Sequence, residues 1–175
     1  MKKVHKLMIA ILLGSFMLSL LAQKEQEQSK IKSAEAYYLL GVRYYKLGQH
    51  KEALEHYQQA LKIFLVVYKD KPHPDLASCY YNIALVYSNL EQYKEELENH
   101  QQALSIRQKV YKDNPHPELA FSYHNIGSVY CTLGQYNEAL ENLKEALKIS
   151  RIQTLLPLTT TSGMYIGNYC SIMRR

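Results

Sequence analysis

The chain of 175 residues has no tryptophan and only three phenylalanines, but it carries 16 tyrosines. Its aromatic surface therefore usually bears a hydroxyl, which suits half-buried or groove-lining positions. It has three cysteines, Cys79, Cys131 and Cys170. The odd count excludes a fully paired disulfide set, and no CxxC or metal-type spacing occurs. Cys79 and Cys131 read as small buried apolar residues, although export would leave a disulfide open. An excess of one charge is also missing where it would matter. Of the 21 lysines and arginines, Lys2, Lys3 and Lys6 stand at the start and Arg151, Arg174 and Arg175 at the end. The remaining 15 face all 16 acids between Gln23 and Ser150. This near-neutral middle excludes the basic footprint of a nucleic-acid-binding surface.

The motifs of chemistry are absent too. There is no GxGxxG, no GKS/T, no GxSxG, no HExxH and no carboxylate pair in a recognisable pocket context. His73 and His116 stand one repeat apart, His50 and His56 are six apart, and His124 is separate. None forms an i,i+4 pair and no cysteine stands near by, so no metal is expected. The expectation is a non-enzyme without cofactors.

A basic start followed by the apolar run Leu7–Ala22 has the form of a secretory signal. At about 16 residues, or ~24 Å as a helix, the run is short for a bilayer core of ~30 Å. Residues 1–22 are read as a cleaved signal or an uncleaved N-terminal anchor. Leu20 stands where cleavage prefers a small residue. The expected location is exported, periplasmic or secreted, or anchored at a membrane. Residues 23–33, "QKEQEQSKIKS", are expected as a disordered polar lead-in.

What is present repeats. "YKDKPHPDLA" from Tyr68 matches "YKDNPHPELA" from Tyr111 at eight of ten places. The same interval of 43 links Gly41, Ala84 and Gly127; Tyr44, Tyr87 and Tyr130; Ala60, Ala103 and Ala146. A period of this size means stacked supersecondary units. Within each unit apolar residues recur at helical spacing, as in Tyr80, Ile83, Ala84 and Tyr87. The break is "LGQH" at 47–50, "LEQY" at 90–93 and "LGQY" at 133–136. Gly48 and Gly134 suit a left-handed helix end, and Glu91 in their place implies a strained or differently built turn. Pro74 and Pro117 suit a first helical turn, Asp75 and Glu118 its positive end, and Pro72 and Pro115 stop the helix before. The decamer is the joint between hairpins.

Leu40-Gly41, Tyr44, Ala53-Leu54, Tyr57 and Ala60 in unit one, and Ile126-Gly127, Tyr130, Ala139-Leu140, Leu143 and Ala146 in unit three, resemble the tetratricopeptide repeat. The "HP-acid-LA" joint and the long second helix are most similar to the kinesin-light-chain-like branch, whose units run one residue shorter. The resemblance implies an all-α, right-handed superhelical solenoid of three helix-turn-helix units, approximately 34–75, 76–118 and 119–152. Unit two departs from the pattern: Glu96 holds a small-residue place and His100 an aromatic one, so Glu96 is expected to snorkel outward.

By the same resemblance the first helices line a concave groove. It would hold Glu35, Tyr38, Leu39, Val42 and Tyr45; then Ser78, Tyr81, Asn82, Leu85, Ser88 and Asn89; then Phe121, His124, Asn125, Ser128, Cys131 and Thr132. Asn82 and Asn125 could clamp the backbone of an extended peptide, or simply bond to neighbouring helix groups. Some members of the family grip a chaperone's C-terminal carboxylate with Lys, Asn and Arg. Here Tyr38, Val42, Asn82, Phe121 and Asn125 stand at those places, only Asn82 fits, and that activity is not expected. The implied role is a scaffold for a protein or peptide segment, with no nucleic acid and with membrane contact only through residues 1–22. The alternative is self-assembly through the end of unit three. Beyond Arg151 the repeat fails, Pro157, a threonine run and Gly163 read as an irregular tail over 153–175, and a covering role for "TLLPL" stays open.

Overall fold

The computed structural model describes residues 2–69, 71–112 and 114–155. They form six helices: α1 (Lys2–Lys46), α2 (His50–Tyr68), α3 (Pro74–Asn89), α4 (Tyr93–Tyr111), α5 (Pro117–Thr132) and α6 (Tyr136–Leu155). Substantial packing is confined to helices that follow one another in sequence. That is the signature of a linear stack, in which each hairpin buries its apolar face against the next. The fold is an all-α solenoid of three hairpins, α1/α2, α3/α4 and α5/α6.

The joints behave as their residues dictate. Pro74 and Pro117 open α3 and α5, each with an acid in the first turn. The caps are histidines: His73 Nδ1 accepts from the Asp75 N–H, and His116 Nδ1 from the Glu118 N–H, both at 3.3 Å. The three inner turns are alike. Gln49, Gln92 and Gln135 each donate a backbone N–H to the tyrosine carbonyl five residues earlier, Tyr44, Tyr87 and Tyr130, at 2.9–3.0 Å. Gly48 and Gly134 have φ of +74° and +73°, and Glu91 holds the same left-handed conformation at +58°. The middle turn is therefore strained rather than rebuilt, at a cost of roughly 1–2 kcal/mol for a residue with a Cβ.

Close approach explains the repeated spacing of small residues within the chain. A Cβ on Gly41 would meet the Tyr57 ring at 2.6 Å, and one on Gly127 would meet Leu143 Cγ at 2.9 Å. Ala53, Tyr57, Ile83 and Val86 form one buried cluster, and Ala34, Ala60, Phe64, Leu76 and Cys79 another. Leu104, Leu119 and Ile126 form the third.

Several expectations change. Residues 23–33 are not a disordered lead-in but the middle of α1. The segment is rich in Gln, Glu and Lys and has no Gly or Pro, so helix propensity carries the chain straight through it. Ile31 packs on the first-unit core, and Lys69 Nζ lies 3.5 Å from Glu27 Oε1. Glu96 does not snorkel outward: it is buried, 7% exposed, with a hydrogen bond from Ser88. Cys79 is fully buried, and burial, followed by Asp75, pushes its thiol up to about 12. Cys131, near the end of α5, is exposed rather than buried. Residues 153–155 continue α6. Pro157, the threonine run, Gly163 and Cys170 lie outside the described residues. Among the described residues no helix is long and apolar enough to cross a membrane. Met8, Leu12, Leu13, Phe16, Met17, Leu18, Leu20 and Leu21 of α1 are exposed.

Candidate functional site

Every predicted groove residue lies on α1, α3 or α5, the first helices of the hairpins. Tyr38, Val42, Tyr45, Tyr81, Asn82, Leu85, Phe121, His124 and Asn125 are half-buried, while Asn89 and Ser128 are exposed. Contacts between neighbouring first helices bring together Tyr38 with Asn82, Tyr45 with Asn89 and Tyr81 with Phe121.

Tyrosine–asparagine pairs tie this face together across the first two units. Asn82 Nδ2 donates to Tyr38 Oη at 2.7 Å and to the Ser78 carbonyl at 2.9 Å. Asn89 Nδ2 donates to Tyr45 Oη at 2.9 Å and to the Leu85 carbonyl at 2.8 Å. The Asn82 nitrogen is thus already engaged, and a clamp at this position would act through the carboxamide oxygen. Burial raises the Tyr38 hydroxyl above its ordinary value, partly offset by the Asn82 bond, so it stays neutral. Asn125, the copy of Asn82, behaves differently: its Nδ2 is buried without a hydrogen-bond partner. Tyr81, the copy of Tyr38, instead packs on Phe121 at 5.4 Å and on His100 at 5.7 Å, with the Arg107 guanidinium 5.6 Å over its ring.

The joints contribute a cluster that the repeat comparison did not reveal. Tyr68 stacks on His73 at 3.8 Å and donates its hydroxyl to Asp75 Oδ2 at 2.5 Å. Tyr111 does the same with His116, at 3.7 Å, and with Glu118 Oε2, at 2.9 Å. His73 Nδ1 also lies 3.2 Å from Asp75 Oδ2. The same nitrogen accepts the Asp75 backbone N–H. Burial lowers the His116 imidazole, which favours a neutral acceptor form. The signal was in the decamer itself, where Tyr, His and acid recur at the same offsets of five and seven.

The seam between units two and three adds buried polar groups to the apolar cluster of Leu104, Leu119 and Ile126. Arg107, 7% exposed, donates Nη1–H to Ser122 Oγ at 2.6 Å, and Ser122 Oγ donates to the Glu118 carbonyl at 2.8 Å. Arg107 Nε is 3.2 Å from Glu118 Oε2, close enough for an ion pair but not aligned as a hydrogen bond. His100 Nε2 lies 3.8 Å from Glu96 Oε1. That contact is not an ion pair, since burial and then Arg107 lower the imidazole to about 4 and leave it uncharged at neutral pH. Burial raises the Glu96 carboxyl, offset in part by Ser88.

One cavity of about 320 Å³ opens beside Tyr38 and is lined by Glu35, Leu39, Phe64, Asp75 and Ser78 as well. A second, of about 400 Å³, lies along α4 by Tyr80, Glu98, Asn99, Gln101 and Gln102, none of them a predicted groove residue. Among the described residues no group of three or more His, Cys, Asp or Glu is placed to hold a metal.

A linear stack of paired helices with a half-buried inner face defines the class, a helical repeat scaffold. The chain belongs to the tetratricopeptide repeat family, whose model matches residues 32–109 and 97–152. It is similar in structure to BtubC (BKLC) from P. vanneervenii, at 23% identity and a TM-score of 0.67, over 82% of this chain and 56% of that one. It is also similar to the nearly identical TPR-like repeats of a putative kinesin light chain from Podosopora anserina, at 26% identity and a TM-score of 0.59, over 70% and 57% of the two chains. The second TPR of Spaghetti (RPAP3), bound to the HSP90 peptide SRMEEVD, matches at 22% identity and a TM-score of 0.53, over 71% of this chain and 98% of that one. The chain thus spans little more than half the length of the first two. No curated protein matches its sequence.

Proposed function

We propose that the protein is a non-catalytic scaffold that holds an extended peptide or protein segment against the concave face of α1, α3 and α5. The observation that carries this reading is the pair of cross-unit bonds, Tyr38–Asn82 and Tyr45–Asn89. They fix aromatic and amide groups before a partner arrives, and preorganisation of this kind lowers the ordering cost of binding. The face offers Tyr38, Tyr45, Tyr81 and Phe121 as contact area, Leu85 and Val42 as apolar ground, and Asn82, Asn89, His124, Asn125 and Ser128 as polar groups. Residues 1–22 direct the chain to export, periplasmic or secreted, or tether it at a membrane, and the mass of the protein recovered from cells distinguishes a cleaved from a retained segment.

The test begins with affinity capture on the repeat region, followed by titration of the recovered segment as a synthetic peptide. Replacing Asn82 and Asn125 together by alanine is expected to weaken binding by roughly tenfold or more, about the value of one or two lost hydrogen bonds. Helicity should be nearly unchanged. Equal affinity for the two proteins would remove the groove reading.

A second reading rests on α6, where Leu140 and Leu147 are 53% and 58% exposed and Ile152 is 40% exposed. Arrays of this kind normally end in a polar-faced helix, so this face could stack on a second chain. Sedimentation with and without residues 152–175 separates the two: a concentration-independent monomer that binds peptide favours the groove, and growth with concentration favours stacking.

A further inference from the structure

The cavity beside Tyr38 and its copy one repeat later differ in one respect that points to a ligand. In the second copy the carboxylate Glu118 accepts from Tyr111 and has Arg107 Nε at 3.2 Å, with the guanidinium of Arg107 lying over the Tyr81 ring. In the first copy the carboxylate is Asp75, the tyrosines are Tyr68 and Tyr38, and the position of Arg107 is taken by Phe64. Phe64 is 1% exposed, stacks on Tyr68 at 5.5 Å, and forms the floor of the cavity of about 320 Å³. The first site therefore has the anion, the aromatic ring and the space, with His73 Nδ1 3.2 Å from Asp75 but no guanidinium in the place of Arg107. It also gains a second carboxylate, Glu35, exposed at the rim. No described lysine or arginine forms an ion pair with Glu35 or Asp75.

We propose that this cavity receives an arginine side chain of the bound segment, its guanidinium between Glu35 and Asp75 and over the Tyr38 ring, its methylenes on Phe64 and Leu39. The partner supplies to the first unit what Arg107 supplies to the second. A planar, weakly hydrated guanidinium suits a site with a carboxylate pair and an aromatic face better than an ammonium does. The proposal rests on the groove reading above and deepens it, by naming the chemistry of the partner: an extended segment with an arginine anchor and no acidic residue beside it. SRMEEVD, with its acidic side chains, would meet Glu35 and Asp75 with like charge.

The test uses the full chain and four pools of extended synthetic peptides that differ only at a central fixed residue: arginine, its neutral isostere citrulline, leucine or glutamate. Arginine peptides should bind about tenfold tighter than citrulline peptides, the value of one charge-assisted pairing. Glu35→Gln should bring the two pools close together, and Glu35→Lys should make arginine the weaker of them. Glu35 is exposed, so both variants fold. Equal binding of arginine and citrulline, a preference for glutamate, or an arginine preference that survives Glu35→Lys would overturn the inference while leaving the groove reading in place. Failure of all four pools to bind would remove both.

Discussion

The two seams of the array use the same positions for opposite chemistry. Between units one and two the buried residues are Ala53, Tyr57, Phe64 and Cys79; one repeat later they are Glu96, His100, Arg107 and Ser122. The histidine caps and inner turns are alike, while the ends of α2 and α4 differ (ψ 52° at Lys69, −130° at Lys112), so the contrast lies chiefly in the side chains. A solenoid asks each seam only for shape and satisfied polarity, because every hairpin meets its neighbours alone. The first seam meets that demand with apolar volume. The second adds to the apolar Leu104, Leu119 and Ile126 a hydrogen-bonded row, Arg107 to Ser122 to the Glu118 carbonyl. Replacing such a buried network with matched apolar groups is often neutral or stabilising, whereas removing one member is costly. The polar seam thus leaves the array a weaker plane, and unit three is the part expected to open first.

The largest effect should come from the apolar seam. Phe64→Ala is expected to cost about 3–5 kcal/mol in urea unfolding, as buried aromatic truncations do. By contrast, Arg107→Phe combined with Ser122→Cys, which writes the first seam into the second, should leave stability unchanged or raise it by about 1–3 kcal/mol. A loss of several kcal/mol in that double variant would show that the polar row is the stronger plane.

Acid sharpens the contrast next. The folded-state value of His100 is depressed to about 4, so folding favours the uncharged ring. Its contribution is complete above the unfolded value near 6.5 and is lost as pH falls from there to about 4. The shift corresponds to roughly 3 kcal/mol at most. Glu96, raised by burial, works the other way: its charged form opposes folding, and acid relieves it. The net acid limb should be shallower than His100 alone would give. His100→Leu, which copies Leu143 of unit three, should flatten the loss over this window in thermal melts. An unchanged limb would take His100 out of the explanation.

Gly127→Leu should destabilise by about 1–3 kcal/mol or more, because its new atoms meet Leu143 and the Ala139 carbonyl, the latter 3.2 Å from the first added carbon. A wild-type melting curve would contradict the packing described. The smallest effect is expected at the middle turn. Glu91→Gly should stabilise by about 0.5–1 kcal/mol, since glycine takes positive φ without the Cβ penalty but loses more chain entropy on folding. Destabilisation by Glu91→Gly would mean that the Glu91 side chain has a role of its own.

The repeat made most of this architecture readable. Gly48, Gly134, Pro74 and Pro117 mark boundaries by backbone chemistry alone, and each falls where the structure puts it. That the predicted groove residues all lie on α1, α3 and α5 also followed from the family pattern. The cross-unit bonds did not, because they run over 44 residues rather than 43. A side chain reaches the neighbour one place further on, so alignment at the repeat interval hides its partner. Glu96 and Arg107 were hidden for another reason: whether a charged side chain turns outward depends on Ser88, Ser122 and Glu118, which are distant in sequence. The α1 lead-in was misread because a polar composition of strong helix formers looks the same whether it is disordered or continues a helix.

The central claim is that the inner face of the first helices is the docking wall. Hydrogen–deuterium exchange of the full chain, with and without a bound arginine-anchored peptide, tests it most directly. Added protection should fall on α1 from Ala34 to Lys46, on α3 and on α5. Protection confined to α6 around Leu140 and Leu147, with the first helices unaffected, would place the contact on α6 and contradict the account.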